Sequence, residues 1–282
     1  MNFTSALALG RVSNLPTVWS NALAAIVLAG GSVMAPGAVA ALIGLSFLYV
    51  AGMFLNDAFD RDFDRRFRPE RPIPSGRTTA RAVFVAGFVQ LILGVAILAA
   101  CGAPAAVAGA CLAAVIVLYD AWHKNNPASP ALMGCCRLLA YLCAAAAVVQ
   151  GVPPDVWVAA VVCFSYLIGL TYVAKQETLH RIGNLWPLLF LAAPLVFGAA
   201  RSPGHPLVAA LTLALLLWVG VFVLRLIRLG NPAIPATVVS LIAGISLVDA
   251  IFAAAWDASG VALLAVVAFG LTLGLQRWVA GT

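Results

Sequence analysis

Charge is what this sequence has least of. Only 9% of its 282 residues are Asp, Glu, Lys or Arg, while 63% are hydrophobic and the mean hydropathy is +1.05; ordinary globular chains carry roughly 25% charged residues. The deficit excludes a soluble globular domain, which needs far more polar surface. Strict alternation of polar and apolar residues is missing too, which excludes the strands of a transmembrane barrel and leaves an all-helical membrane protein. The six cysteines, Cys101, Cys111, Cys135, Cys136, Cys143 and Cys163, have no paired CxxC spacing and fall in apolar stretches. They read as small core residues, with no zinc and no disulfide framework implied. No basic group precedes the first apolar run in MNFTSALALGR, so a cleaved signal peptide is not expected.

What is there instead is a succession of apolar stretches of roughly 16 to 22 residues, each able at about 1.5 Å per residue to cross a hydrocarbon core of about 30 Å. Polar, proline and glycine punctuation predicts ten candidate spans, at roughly 15–30, 37–57, 81–101, 104–120, 131–150, 155–174, 185–200, 206–227, 234–254 and 259–277. The chain thus reads as one all-α domain over 1–282, a polytopic transmembrane helical bundle of nine to ten spans. Alternating the connections between two sides places fourteen of the sixteen basic residues on one side. These are Arg11, the seven arginines from Arg61 to Arg81, Lys124, Lys175, Arg181, Arg225, Arg228 and Arg277; the other side holds only Arg201, with Arg137 inside a span. By the positive-inside rule the rich side is cytoplasmic, as are both termini with an even number of spans. The long polar connections open on that face, so polar chemistry is expected there. The net charge of +6 is read as anchoring to anionic membrane lipids rather than as nucleic-acid binding.

The ionisable groups gather in one stretch, LNDAFDRDFDRRFRPERPIPSGR, residues 55–77. If the second span continues helically through it, each residue turns by about 100°. With Asp57 at zero, Asp64 points to about −20°, Asp60 to about −60° and Asn56 to about −100°, while Asp62 points away near +140°. Carboxylates this close repel one another unless a cation sits among them. Hard oxygen ligands on one or two turns suit Mg²⁺, which commonly completes its shell with waters and substrate phosphate. The basic tail that follows offers forked guanidiniums suited to a diphosphate, and its prolines and glycine favour a loop folded over the site.

NDAFDRDFD followed by RPERPIPSGR resembles the Asn-Asp-x-x-Asp-x-x-x-Asp and downstream Arg-Pro…Gly signature of the UbiA-type intramembrane prenyltransferases. RVSNLPTVWSNALA, in which Arg11 and Asn14 match an Arg-x-x-Asn element, and YDAWHK, at the end of the fourth span, extend the resemblance over two-thirds of the chain. It implies an all-helical bundle, usually of nine spans, with a cavity open to lipid. It also implies transfer of a prenyl chain from an isoprenyl diphosphate to a lipophilic acceptor with Mg²⁺. On that reading Asp57, Asp60 and Asp64 form the catalytic cluster and bind Mg²⁺ together with Asn56. Arg11, Asn14, Asn56, Arg71, Lys124, Arg137, Lys175 and Arg181 contact the substrate.

The family's second acidic motif, two aspartates four apart near the end of the sixth span, is degenerate here. TYVAKQETLHRIGN offers Glu177 as its only acid, a doubtful further metal ligand, with Lys175 and Arg181 able to neutralise a diphosphate directly. That depletion keeps open a carrier or transporter of isoprenoid lipids that retains the fold without the chemistry. Against a transporter stands the gathering of charge at one surface, without broken helices or repeats at the midplane. A phosphatidyl-type phosphotransferase would need an Asp-Gly-x-x-Ala-Arg pattern, which is absent. Two groups fall inside spans: Arg137, expected either to pair with Asp120 or to touch the diphosphate, and Asp249, for which the sequence suggests no partner.

Overall fold

The structure, a computed structural model, describes residues 1–124, 126–179 and 184–281, with only the backbone of 177–179. Among the described residues it is helical throughout, with no strand. Twelve α-helices follow one another among the described residues. They are α1 (Phe3–Leu9), α2 (Leu15–Leu28), α3 (Pro36–Phe59), α4 (Arg61–Phe67), α5 (Ala80–Ala99), α6 (Ala103–Trp122), α7 (Ser129–Ala146), α8 (Pro154–Leu179), α9 (Ala193–Arg201), α10 (Pro206–Leu229), α11 (Ile234–Ala255) and α12 (Ser259–Leu275). Proline in the first turn opens α2, α3, α6, α7, α9, α10 and α11. There its fixed φ suits the helix and its missing N–H deprives no intrahelical bond.

Each of the ten apolar stretches contains a helix, but their lengths differ. Among the described residues seven helices are long and apolar enough to cross a membrane: α3, α5, α6, α7, α8, α10 and α11. Three shorter apolar segments remain, Val12–Leu28, Trp186–Arg201 and Ser259–Leu275. The second of these is not one regular helix. It begins as a 3-10 helix at Trp186–Ala192 and turns into α9, with Pro187 and Pro194 each removing an amide donor where the ladder changes.

Consecutive helices pack side by side from α5 through α8, and α12 closes the ring by returning to α2, as short connections between antiparallel neighbours require. At the centre, α11 packs against α2, α8, α10 and α12 and is 83% buried. By contrast α10 is 22% buried and turns Leu213, Leu216, Leu217 and Leu224 outward, as a lipid-facing helix does. Where α3 crosses α5, Gly44 and Gly94 meet backbone to backbone. A Cβ on Gly94 would lie 2.9 Å from the Gly44 carbonyl oxygen and 2.7 Å from Leu48 Cγ. Small residues at such a crossing let dispersion act over the whole interface. Gly94→Val is therefore expected to force α3 and α5 apart and to cost about 1–3 kcal/mol, read as a lower unfolding temperature of the detergent-solubilised protein; Gly220→Val, which would meet nothing within 4 Å, is expected to leave it unchanged.

Candidate functional site

The acidic stretch runs off the end of α3 and into α4 with little loss of helical hydrogen bonding. Asp60 N–H donates to the Asn56 carbonyl at 2.9 Å and Asp64 N–H to the Asp60 carbonyl at 2.9 Å. Residue 60 joins the two helices, so the acids keep nearly the directions of one helix. Asn56, Asp57 and Asp64 are buried, whereas Asp62 has 68% of its side chain exposed and pairs with Arg61 and Arg65 on the outside.

Arg11 reaches this cluster from the turn between α1 and α2. Its backbone is left-handed, φ 40, a conformation costing a residue with a Cβ about 1 kcal/mol or more. The Tyr49 hydroxyl supports the turn by donating to the Arg11 carbonyl at 3.1 Å. Arg11 Nη2 then lies 2.9 Å from Asp57 Oδ1 and 3.4 Å from Asn56 Oδ1. Arg71 approaches from the other side, its Nη1 donating to Asp57 Oδ1 at 2.9 Å and to Asp64 Oδ2 at 3.1 Å. The loop that carries Arg71 folds back over the cluster. Gly76 turns it with φ 77, and Thr78 N–H closes it on the Pro72 carbonyl at 3.2 Å. A continuous chain Arg11–Asp57–Arg71–Asp64 results.

Asp60 belongs to a second group. Lys124 Nζ lies 2.9 Å from its Oδ1 and His123 Nε2 3.4 Å from its Oδ2. Lys124 also sits 3.6 Å over the Phe63 ring, and His123 stacks on Tyr119. Asn56 Nδ2 joins the groups by donating to Asp120 Oδ1 at 3.1 Å. Burial pushes the Asp60 carboxyl up, but the hydrogen bonds and charges of His123 and Lys124 outweigh it and hold it below the ordinary value. Asp64 goes the other way. Burial raises it, Arg71 offsets only part, and neighbouring Asp57 and Asp60 add to the rise.

Behind this polar cap lies a cavity of about 460 Å³, within the roughly 300–1,000 Å³ of small-molecule sites. Arg11, Asn56, Asp60, Arg71, Lys124 and Lys175 line its polar end, while Leu45, Leu48, Leu112, Leu167 and Ile245 continue it as an apolar slot. Asp57 and Asp64 stand behind the arginines, off the cavity wall. Ammonium, imidazole and guanidinium groups therefore interleave the carboxylates. Among the described residues no three His, Cys, Asp or Glu side chains group closely enough to hold a metal by themselves. The donor chemistry still suits a hard cation arriving with phosphate. Asp64 Oδ1 and Asp120 Oδ2 are buried without a hydrogen-bond partner, and Mg²⁺ commonly needs only one or two carboxylates when phosphate and water supply the rest.

The remaining candidates are placed less uniformly. Asn14 lines the cavity, and its amide is engaged, Nδ2 donating to the Gly281 carbonyl and Oδ1 accepting from Gln276, both at 2.8 Å. Lys175 Nζ donates to the Asn126 carbonyl at 2.6 Å and to Ser129 Oγ at 2.9 Å at the cavity edge. Arg137 lines the cavity but does not pair with Asp120, which Asn56 takes instead; Arg137 turns to α2, where Thr17 and Asn21 accept from it. Asp249 has partners after all, in Ser20, Asn21 and Tyr141. Arg181 and the side chain of Glu177 lie outside the described residues. Sequence reasoning named Asp120 only as a partner for Arg137, gave His123 no role in the site and passed over Tyr49; the i, i+4 spacings Tyr119–His123 and Asp120–Lys124 at the end of α6 are the signal that could have joined the first two to the cluster.

Because Arg11 and Arg71 both rest on one nearly buried oxygen of Asp57, Asp57→Ala leaves Arg11 without an acid and Arg71 with Asp64 alone. The expected loss is about 3 kcal/mol, measured by thermal unfolding, against less than about 0.5 kcal/mol for Asp62→Ala at the solvated surface.

The UbiA prenyltransferase family model matches residues 15–259. A protoheme IX farnesyltransferase of Alkalihalophilus pseudofirmus is 33% identical over 127 residues, covering 43% of this chain and 41% of that protein. The chain thus spans less than half the length of the curated relatives it matches. Two solved structures share the fold over nearly their whole lengths. One, described as digeranylgeranylglyceryl phosphate synthase, gives a TM-score of 0.65 at 18% identity, covering 90% of this chain and 98% of that one. The other, a UbiA homolog from Archaeoglobus fulgidus bound to GPP and Mg²⁺, gives 0.55 at 17% identity, covering 91% and 99%. A helical membrane bundle with a capped apolar cavity, matched over residues 15–259, places this chain in the UbiA prenyltransferase family.

Proposed function

We propose that the protein transfers a prenyl group from an isoprenyl diphosphate to a lipophilic acceptor within the membrane, with Mg²⁺ as cofactor. One observation carries this reading: a cap of buried carboxylates and cations opens directly onto an apolar slot. That combination matches a ligand with a doubly charged phosphate head and a hydrocarbon tail. The ligands of the Archaeoglobus fulgidus homolog, GPP and Mg²⁺, support it.

In this reading Arg11, Arg71, Lys124, Lys175 and Arg181 meet the diphosphate, with Asn14 at the same end of the cavity. Asn56 and Asp60 on the cavity wall, with Asp57 and Asp64 behind the arginines and Glu177, would hold Mg²⁺, which when bound would neutralise charge on the leaving diphosphate. Arg11 and Arg71 are already fixed by Asp57 and Asp64, so their forks are oriented before substrate arrives and need little reorganisation to stabilise the departing oxygens. The allylic C–O bond breaks with its electron pair on the diphosphate. Leu45, Leu48 and their neighbours keep water from the allylic cation, the acceptor forms the new bond, and a proton leaves. In the same reading the three shorter apolar segments bring the crossings to nine or ten, and the polar cap faces the cytoplasm, an orientation that the distribution of Lys and Arg supports.

The test uses membranes containing the protein and labelled farnesyl or geranylgeranyl diphosphate. Diphosphate release and a labelled lipid product are expected with Mg²⁺ and are lost with EDTA. Asp60→Ala is expected to lower release about a hundredfold or more, whereas Asp62→Ala stays near wild type. Wild-type activity in Asp60→Ala removes the assignment. Binding of the diphosphate without release makes the protein a carrier.

A further inference from the structure

Away from the polar cap, a second set of polar side chains is sealed inside the bundle. Asp249, in α11, is fully buried. Its Oδ1 accepts from Asn21 Nδ2 at 2.7 Å and from the Tyr141 hydroxyl, and its Oδ2 accepts from Ser20 Oγ at 2.5 Å. Ser20 is also 3.0 Å from Ser246 Oγ. Three donors aimed at one carboxyl group are the surroundings of an ionised acid. An acid held this way among apolar helices is expensive, and the partner charge that offsets it should be near.

That partner is Arg137, reached through Asn21. Asn21 Oδ1 accepts from Arg137 Nη1 at 3.0 Å, while its Nδ2 serves Asp249, so the two bonds together fix which way the amide points. Arg137 Nη1 also donates to the Thr17 carbonyl at 3.0 Å and Nη2 to Thr17 Oγ1 at 2.7 Å. Of the guanidinium's five N–H groups, three are thereby taken, leaving Nε–H and one Nη2–H on a side chain that lines the cavity. Arg137 stands about 12 Å along α7 from Ser129, below the cap and beside the apolar slot.

We propose that Asp249 is a positioning residue. Through Asn21 it holds the Arg137 guanidinium at the cavity wall as a polar subsite for an oxygen-bearing head group of the acceptor, apart from the diphosphate cluster. The inference rests on the transferase reading of the cavity. Physically, the acid does two things there. It orients the guanidinium through the Asn21 amide, and it offsets a positive charge that would otherwise oppose an allylic cation developing in the same low-dielectric space. Tyr141 and Ser20 keep the carboxylate satisfied without competing for Arg137.

The experiment uses the full chain in proteoliposomes made with a lipid extract of membranes that supply the acceptor, and labelled farnesyl diphosphate as the probe. Asp249→Asn is expected to lower kcat about tenfold or more, while KM for farnesyl diphosphate stays within about twofold, because the diphosphate cluster is untouched. Moving the carboxylate one step along the relay, in Asn21→Asp/Asp249→Asn, is expected to restore most of the lost kcat. Wild-type kcat in Asp249→Asn, a parallel rise in KM for farnesyl diphosphate, or no recovery in the exchanged pair overturns the proposal. An arm independent of turnover is the melting-temperature cycle of Arg137→Met, Asp249→Leu and the double variant. The relay predicts that the double variant loses less than the sum of the two, and additive losses overturn it. A wild-type protein that releases no diphosphate sinks the transferase reading instead, and the melting cycle still decides the relay.

Discussion

A charge persists inside a lipid-embedded bundle only where an opposite charge or a full set of hydrogen bonds meets it, and this structure depends on meeting that condition at the end of α3. Asp57 is the pivot. One of its oxygens holds both Arg11, from the turn before α2, and Arg71, from the loop before α5. Without that oxygen Arg11 would keep only the longer contact to Asn56, and the loop that carries Arg71 would be held to the cluster by Asp64 alone. The left-handed turn at Arg11, stabilised by Tyr49, is worth its strain because it delivers a guanidinium to this point.

The same constraint explains the shape of the cavity. Charges that satisfy one another can be placed beside hydrocarbon without water to solvate them, so a polar cap and an apolar slot share a wall. Lys124 shows this in one side chain, meeting Asp60 at 2.9 Å and the face of Phe63 at 3.6 Å, a cation held by an acid and an aromatic ring together. Opposite shifts in Asp60 and Asp64 follow from which cations each has gained against burial. Two neighbouring carboxyls thereby acquire different proton affinities from one cluster.

Much of this was legible beforehand. Ten apolar stretches gave the helices in order, because a chain with this little charge has no other way to satisfy its backbone in lipid. The directions computed for an uninterrupted helix separated Asp62 from Asp57, Asp60 and Asp64, and Asp62 is the one on the outside. The break at residue 60 did not spoil that reading, since hydrogen bonding continues across it. Less was visible where partners come from distant segments. Arg137 and Asp249 lie far apart in sequence, and neither their pairing through Asn21 nor the choice of Asn56 over Arg137 as the partner of Asp120 follows from any local spacing. The irregular entry into α9 also escaped, because its prolines leave hydropathy unchanged.

The sequence by itself determined that this chain is a helical membrane bundle, and that its polar chemistry gathers beside one stretch of acids and arginines. Hydropathy and helical periodicity are properties of neighbouring residues, and they need no fold to be read. Tertiary structure alone decided which cation each carboxylate meets, that guanidinium and ammonium groups stand among the acids, and that a buried aspartate backs an arginine on the cavity wall. Those outcomes depend on where helices cross, and the low dielectric between them makes each such meeting of charges obligatory without specifying in advance who the partners are.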